Sequence, residues 1–182
     1  VPIDPIPQVE LTKEDKKNQL LALPIPQFAS PMIGARLTSL FGPRGIVQGH
    51  SMHPGIDLAK GKGAPVLSAA QGVVVRITSN GAGGGYGNSV IIKHNDRFHT
   101  LYGHLSEVKV VLGQVVALGQ IIGLEGNTED GKISPYLPSK TMGSHLHFEI
   151  RDFAVSDIEF GKYGSVNPQQ YILKNTTKGG IA

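Results

Sequence analysis

The chain has 182 residues, 40% of them apolar, a formal charge of +3 and no cysteine. That length supports one domain with a proper core, the composition excludes a disordered chain, and no apolar run approaches the ~20 residues needed to span a bilayer. The missing thiols exclude disulfides, thiol catalysis and thiolate metal sites together; so small a charge excess reads as a solvated surface, with no nucleic-acid partner and no membrane insertion expected.

In chain order, residues 1–32 read as a linker or strap. Prolines 2, 5, 7, 24, 26 and 31 punctuate them and favour extended backbone. The opening VPIDPIPQ has no Met and no basic-then-apolar start, so it reads as a mature product or an excised piece. LTKEDKKNQLLAL predicts one short helix, with Thr12 as N-cap, Glu14 and Asp15 at its positive end, and Leu20, Leu21 and Leu23 as an apolar docking edge.

Residues 33–173 change character. The whole chain's 24 glycines and 12 prolines, with few helical periods, predict a turn-rich all-β protein. APVLSAAQGVVVRITS reads as two strands around Ala70-Gln71-Gly72, and GAGGGYGN as a flexible loop. That loop lacks the following helix and the Lys-Ser/Thr of a phosphate-binding loop. NSVIIKH and FHTLYGHL predict a hairpin across Asn95-Asp96-Arg97. Glycines 113, 119 and 123 sit among β-branched residues, as in strands that turn the corners of a tight barrel or sandwich. Residues 127–143 form a long polar loop. HLHFEIR alternates strictly, with His145, His147 and Glu149 on one face and Leu146, Phe148 and Ile150 on the other. A turn of helix is expected at Asn167-Pro168, and residues 174–182 as a frayed tail.

The chemistry lies in seven histidines, at 50, 53, 94, 99, 104, 145 and 147. His145 and His147 share a strand face roughly 6.6 Å apart, so both reach one metal or one substrate; a pair of exposed histidines on a wet face is the alternative. In HPGID, Pro54 and Gly55 make a tight bend that brings His53 and Asp57 together. Imidazole and a single carboxylate suit zinc, and two nitrogens plus one oxygen leave a fourth tetrahedral position open, the mark of a catalytic site. His50, three residues upstream, competes with His53 for this role. His104, in YGHL at a strand end, is then a spare imidazole beside the metal. His94 reads as structural, His99 as solvent-facing, and Tyr102 as packing. Arg44 in FGPRG either lines the groove or makes a surface salt bridge.

HPGID, YGHL and GSHLHFEI resemble the HxxxD, YxHL and HxH motifs of the lysostaphin/LytM-type (M23) metallopeptidases. SLFGPRG, KGAPVLSAAQGVVV, YGNSVIIKH, VVLGQVVALGQIIG and VNPQQYI follow that family's segments in order, so the resemblance covers roughly residues 36–172. It implies a compact antiparallel β domain of the sheet or barrel-sandwich type with a groove, the N-terminal helix lying outside it. It also implies Zn2+ held by His53, Asp57 and His147, with His104 and His145 as the catalytic histidines that are not ligands. The implied substrate is peptidoglycan, cut at peptide bonds of its stems or cross-bridges by a hydrolase that is extracellular, periplasmic, bound to the cell wall or carried on a phage tail. The sequence departs from the family at 127–143, longer than the usual short Gly/Ser/Thr loop, and this loop is expected to govern which substrates enter. Some family members are non-catalytic activators or wall-binding modules that have lost ligands; here every such position is filled. VVLGQVVALGQIIG is also similar to lipoyl and biotinyl carrier strands, but no lysine occupies a hairpin tip in a modification motif.

Overall fold

A computed structural model describes residues 11–44, 52–79, 85–128, 143–155 and 164–176. The helix begins as the sequence predicts: α1, Lys13–Leu21, opens with a capping box in which Asp15 N–H donates to the Thr12 hydroxyl (3.1 Å) and Thr12 N–H to the Asp15 carboxylate (3.0 Å). Its expected docking edge is only partly covered: Leu20 and Leu23 are half-buried, and Arg97 donates to the Leu21 carbonyl. The helix buries no residue, and Leu21 is 46% exposed.

What docks is the strap that follows. Phe28 and Met32 lie in the hydrophobic core, Ala29 N–H donates to the Ala69 carbonyl, and Leu67 N–H donates to the Pro31 carbonyl. Of the two readings, linker or strap, residues 28–32 lie as a strap, with Phe28 and Met32 reaching into the core. Phe28 is fully buried and meets His94, Phe98 and Tyr171 edge-on, with ring centroids 5.3, 5.8 and 6.2 Å away. Phe28→Ala should cost about 3–5 kcal/mol, read as a lower urea midpoint; an unchanged midpoint would show that the strap is decoration.

The domain is antiparallel β. Its main sheet runs in the order β1 (Arg36–Ser39), β4 (Ile56–Ala59), β12 (Leu146–Asp152), β8 (Phe98–Gly103), β7 (Ser89–Lys93), β6 (Gly72–Thr78), β10 (Val115–Val116), and β13 (Ser165–Val166) also pairs with β12. A three-stranded sheet joins β5 (Pro65–Leu67), β11 (Ile121–Leu124) and β9 (Glu107–Val108), and a two-stranded ribbon joins β2 (Gly42–Pro43) to β3 (Met52–His53). The β7–β8 hairpin forms as predicted, because the Asn95 side chain accepts from the N–H groups of Arg97 and Phe98 and closes the turn. α2, Pro168–Thr176, is longer than the single turn expected and crosses the expected boundary at 173. Among the described residues no helix is long and apolar enough to cross a membrane.

β12 organises the molecule. Leu146, Phe148 and Ile150 are fully buried in the core, as alternation requires. Its polar face is buried as well, with His147 5%, Glu149 0% and Arg151 7% exposed, so the alternative of exposed histidines on a wet face does not hold. His94 is structural, donating and accepting between the Gln71 carbonyl and the Thr100 hydroxyl, both at 2.8 Å. His99 is half-buried edge-on against Phe153 (4.8 Å) rather than facing solvent, and burial pushes its pKa down to about 4. Tyr102 packs fully buried against Phe148, its hydroxyl accepting from Ala69 N–H.

Candidate metal and catalytic centre

Sheet register builds the centre. Asp57 on β4 lies directly opposite His147 on β12, and His147 lies opposite Gly103 at the end of β8, one residue before His104. The HPGID bend then swings His53 over the same point. Gly55 is required there, because a Cβ would run into the Phe148 carbonyl and press on the His147 ring. His53 Nε2, Asp57 Oδ1 and His147 Nδ1 form a triangle with edges of 3.1, 3.0 and 3.0 Å.

The outward-facing atoms decide what those three present. His53 Nδ1 lies 2.7 Å from the Leu40 carbonyl, which only accepts, so Nδ1 carries the proton and Nε2 a lone pair. His147 Nε2 faces the Glu149 carboxylate at 3.1 Å, which places its proton outward and its Nδ1 lone pair inward. Asp57 Oδ2 accepts from Arg44 (2.8 Å), leaving Oδ1 inward. With the His147 ring neutral, as a bound metal requires, these outer partners leave three lone pairs aimed at one point. Tetrahedral zinc with ordinary bond lengths sets its ligand atoms about 3.3 Å apart, close to this triangle, and two imidazoles with one carboxylate are an open-site donor set. The residues fit a zinc ion, and each ligand already has the outer partner that such ligands need.

Without a metal, the same groups favour a charged, hydrogen-bonded pair. Burial opposes the charge on Asp57, but hydrogen bonds and charges of His147 and His53 outweigh it and hold the carboxyl well below the usual carboxylate range. Burial likewise opposes protonation of His147, yet Asp57 and Glu149 raise its affinity for a proton. Metal uptake would displace that proton. Glu149 stays ionised although buried, because His147, Arg151 and Tyr86 compensate it.

Two more imidazoles flank the triangle. The ring of His104 lies 4.7 Å from that of His145 and 6.0 Å from that of His147. His104 Nδ1 donates to the Thr128 carbonyl (2.8 Å) and His145 Nδ1 to the Gly143 carbonyl (2.9 Å), so both keep Nε2 as a free acceptor. Burial pushes His104 down to about 4, with the Thr128 carbonyl partly offsetting it, so the ring is neutral at neutral pH. Its backbone is left-handed, φ 61°, unique among described non-glycine residues, and such strain collects at functional sites.

All five residues singled out in sequence thus converge, while His50 lies outside the described residues, as do residues 129–142 of the long loop and 81–84 of the glycine-rich one. Arg44 does make a salt bridge, and its partner is the site carboxylate Asp57, 2.8 Å away. Sequence reasoning placed Glu149 on the histidine face without a role, and it missed Tyr86. The Tyr86 hydroxyl donates to Glu149 (2.6 Å), its ring lies 5.4 Å from that of His147, and its carbonyl accepts from His104 N–H.

Residues 51–168 match the profile of peptidase family M23. The chain is similar to the DD-carboxypeptidase/endopeptidase Mpg of Neisseria meningitidis serogroup B, at 39% identity over 66% of this chain and 25% of that protein. It is similar to the murein hydrolase activator NlpD of Salmonella dublin, at 31% identity over 91% of this chain and 37% of that protein. The chain thus spans a quarter to little more than a third of the length of these curated relatives. Among solved structures it is similar to the catalytic domain of lysostaphin from Staphylococcus simulans, with TM-score 0.61 and 26% identity over 76% of this chain and 92% of that one. A zinc-containing peptidase from Vibrio cholerae gives TM-score 0.59 and 31% identity over 78% of this chain and 39% of that one.

Proposed function

Because the chain belongs to peptidase family M23, we propose that it is a zinc-dependent endopeptidase that hydrolyses peptide bonds in peptidoglycan, with His53, Asp57 and His147 as zinc ligands and His104 and His145 as catalytic residues. The observation that carries this reading is the convergence of three ligand atoms, each held by an outer partner, beside two imidazoles that tie Nδ1 to a backbone carbonyl. Zinc held there supplies Lewis acidity, bringing water toward a pKa of ~7 and polarising the scissile carbonyl. Neutral His104 takes up a proton at Nε2 from the water whose oxygen bonds to the scissile carbonyl carbon. Either ring, once protonated, donates from Nε2 to the developing oxyanion or returns the proton to the departing amine nitrogen as the C–N bond breaks. A hydrolase of walls acts outside the cytoplasm, in the periplasm, at the wall or on a phage tail.

The long alignment with a murein hydrolase activator favours one competing reading, a non-catalytic partner of other wall hydrolases. The two readings part on metal. Excess EDTA should stop release of peptides from purified peptidoglycan and added zinc should restore it; undiminished release in chelator would overturn the zinc mechanism.

A further inference from the structure

We propose that Thr128 is a positioning residue for His104: its carbonyl fixes the Nδ1–H tautomer of that ring, and its hydroxyl holds the carbonyl in place. This rests on the peptidase reading above. His104 follows the last residue of β8 and has left-handed backbone, so the sheet ladder does not set its ring. The ring's hydrogen bond runs from Nδ1 to the Thr128 carbonyl. A neutral imidazole can carry its proton on either nitrogen, and its ring can flip about Cβ–Cγ, which puts carbons where the nitrogens were; a fixed acceptor at Nδ1 selects one orientation and one tautomer and leaves Nε2 as the lone pair.

The carbonyl is itself clamped. The Thr128 hydroxyl donates to the Leu105 carbonyl and accepts from Asn88 N–H, both at 3.0 Å. The Asn88 side chain donates to the same Leu105 carbonyl (3.1 Å), and Leu105 N–H donates to the Asn88 carbonyl (2.9 Å). Gly87, with φ 57°, leaves free the space the Thr128 carbonyl fills; any side chain there would meet it. Three segments of chain, around residues 87–88, 104–105 and 128, thus meet at Thr128. Gly143 does the corresponding service for His145, so residues 128 and 143 each hold one of the paired histidines.

The test compares T128V, which keeps the branched shape and deletes the hydroxyl, with T128S, which keeps the hydroxyl. T128V should retain zinc and lower kcat by roughly 10- to 100-fold, as for lost outer partners and small misplacements. KM should move less than about twofold, and T128S should restore kcat, on the expectation that the lost contact serves the chemical step and not ground-state binding. Imidazole 15N shifts of the metal-free chain give a readout independent of activity: a single Nδ1–H tautomer for His104 in the unaltered chain and in T128S, and a mixture in T128V. T128A replaces T128V if that variant does not fold. Full kcat with a single His104 tautomer in the hydroxyl-less variant overturns the proposal, as does equal loss in T128S. An unaltered, zinc-loaded chain that releases no peptides would instead sink the peptidase reading, while the tautomer comparison would still judge Thr128.

Discussion

Asp57→Ala and His147→Ala should each leave the chain folded, largely metal-free after dialysis and without measurable peptidase activity. Each removes one corner of a triangle whose edges are 3.0–3.1 Å, and two remaining ligands do not make an open tetrahedral site. The loss in zinc affinity should exceed the roughly 10–100-fold typical of removing an outer partner. Asp57→Ala carries a second penalty. Arg44 now donates to Asp57 Oδ2 at 2.8 Å; without the carboxylate its guanidinium faces the two ligand histidines and repels a cation. Asp57→Asn separates these effects, since it keeps the shape and removes the charge. Metal content of the purified variants is the measurement, and stoichiometric zinc in Asp57→Ala would refute the ligand assignment.

His104→Ala and His145→Ala should do the opposite: keep zinc and lower turnover by roughly 10²–10⁴, the range for losing a general acid–base or an oxyanion donor. Both rings tie Nδ1 to a backbone carbonyl and so stand outside the ligand triangle. Residues that act as a unit are strongly non-additive, and these rings lie 4.7 Å apart. The double variant should therefore lose little more than the worse single one. Loss of metal in either single variant would show that ligand and catalytic roles had been exchanged.

How much of this was legible in sequence depended on whether a feature leaves a periodic or local mark. Strict alternation in HLHFEIR put both histidines and Glu149 on one face, and the HPGID bend brought His53 to Asp57, so the centre could be read before the register was known. Burial of that face could not be read, because its cover comes from Tyr86 and Ser165, far away in the chain. The strap's docking point was misplaced for a different reason. Phe28 and Met32 sit among prolines with no period to announce them, whereas the leucines at 20, 21 and 23 formed the more obvious apolar edge, and none of them is buried. The carbonyls of Leu40, Thr128 and Gly143 fix three histidines, yet every residue type carries a carbonyl, so these partners left no trace in composition or spacing.

The central claim is tested most directly by incubating the zinc-loaded chain with purified peptidoglycans of different cross-bridge types and identifying new amino termini by mass spectrometry. The account predicts new free amines at one defined peptide position in at least one wall type, absent when Asp57→Ala replaces the unaltered chain. A folded chain that retains stoichiometric zinc and yields no new amino terminus from any wall would contradict it.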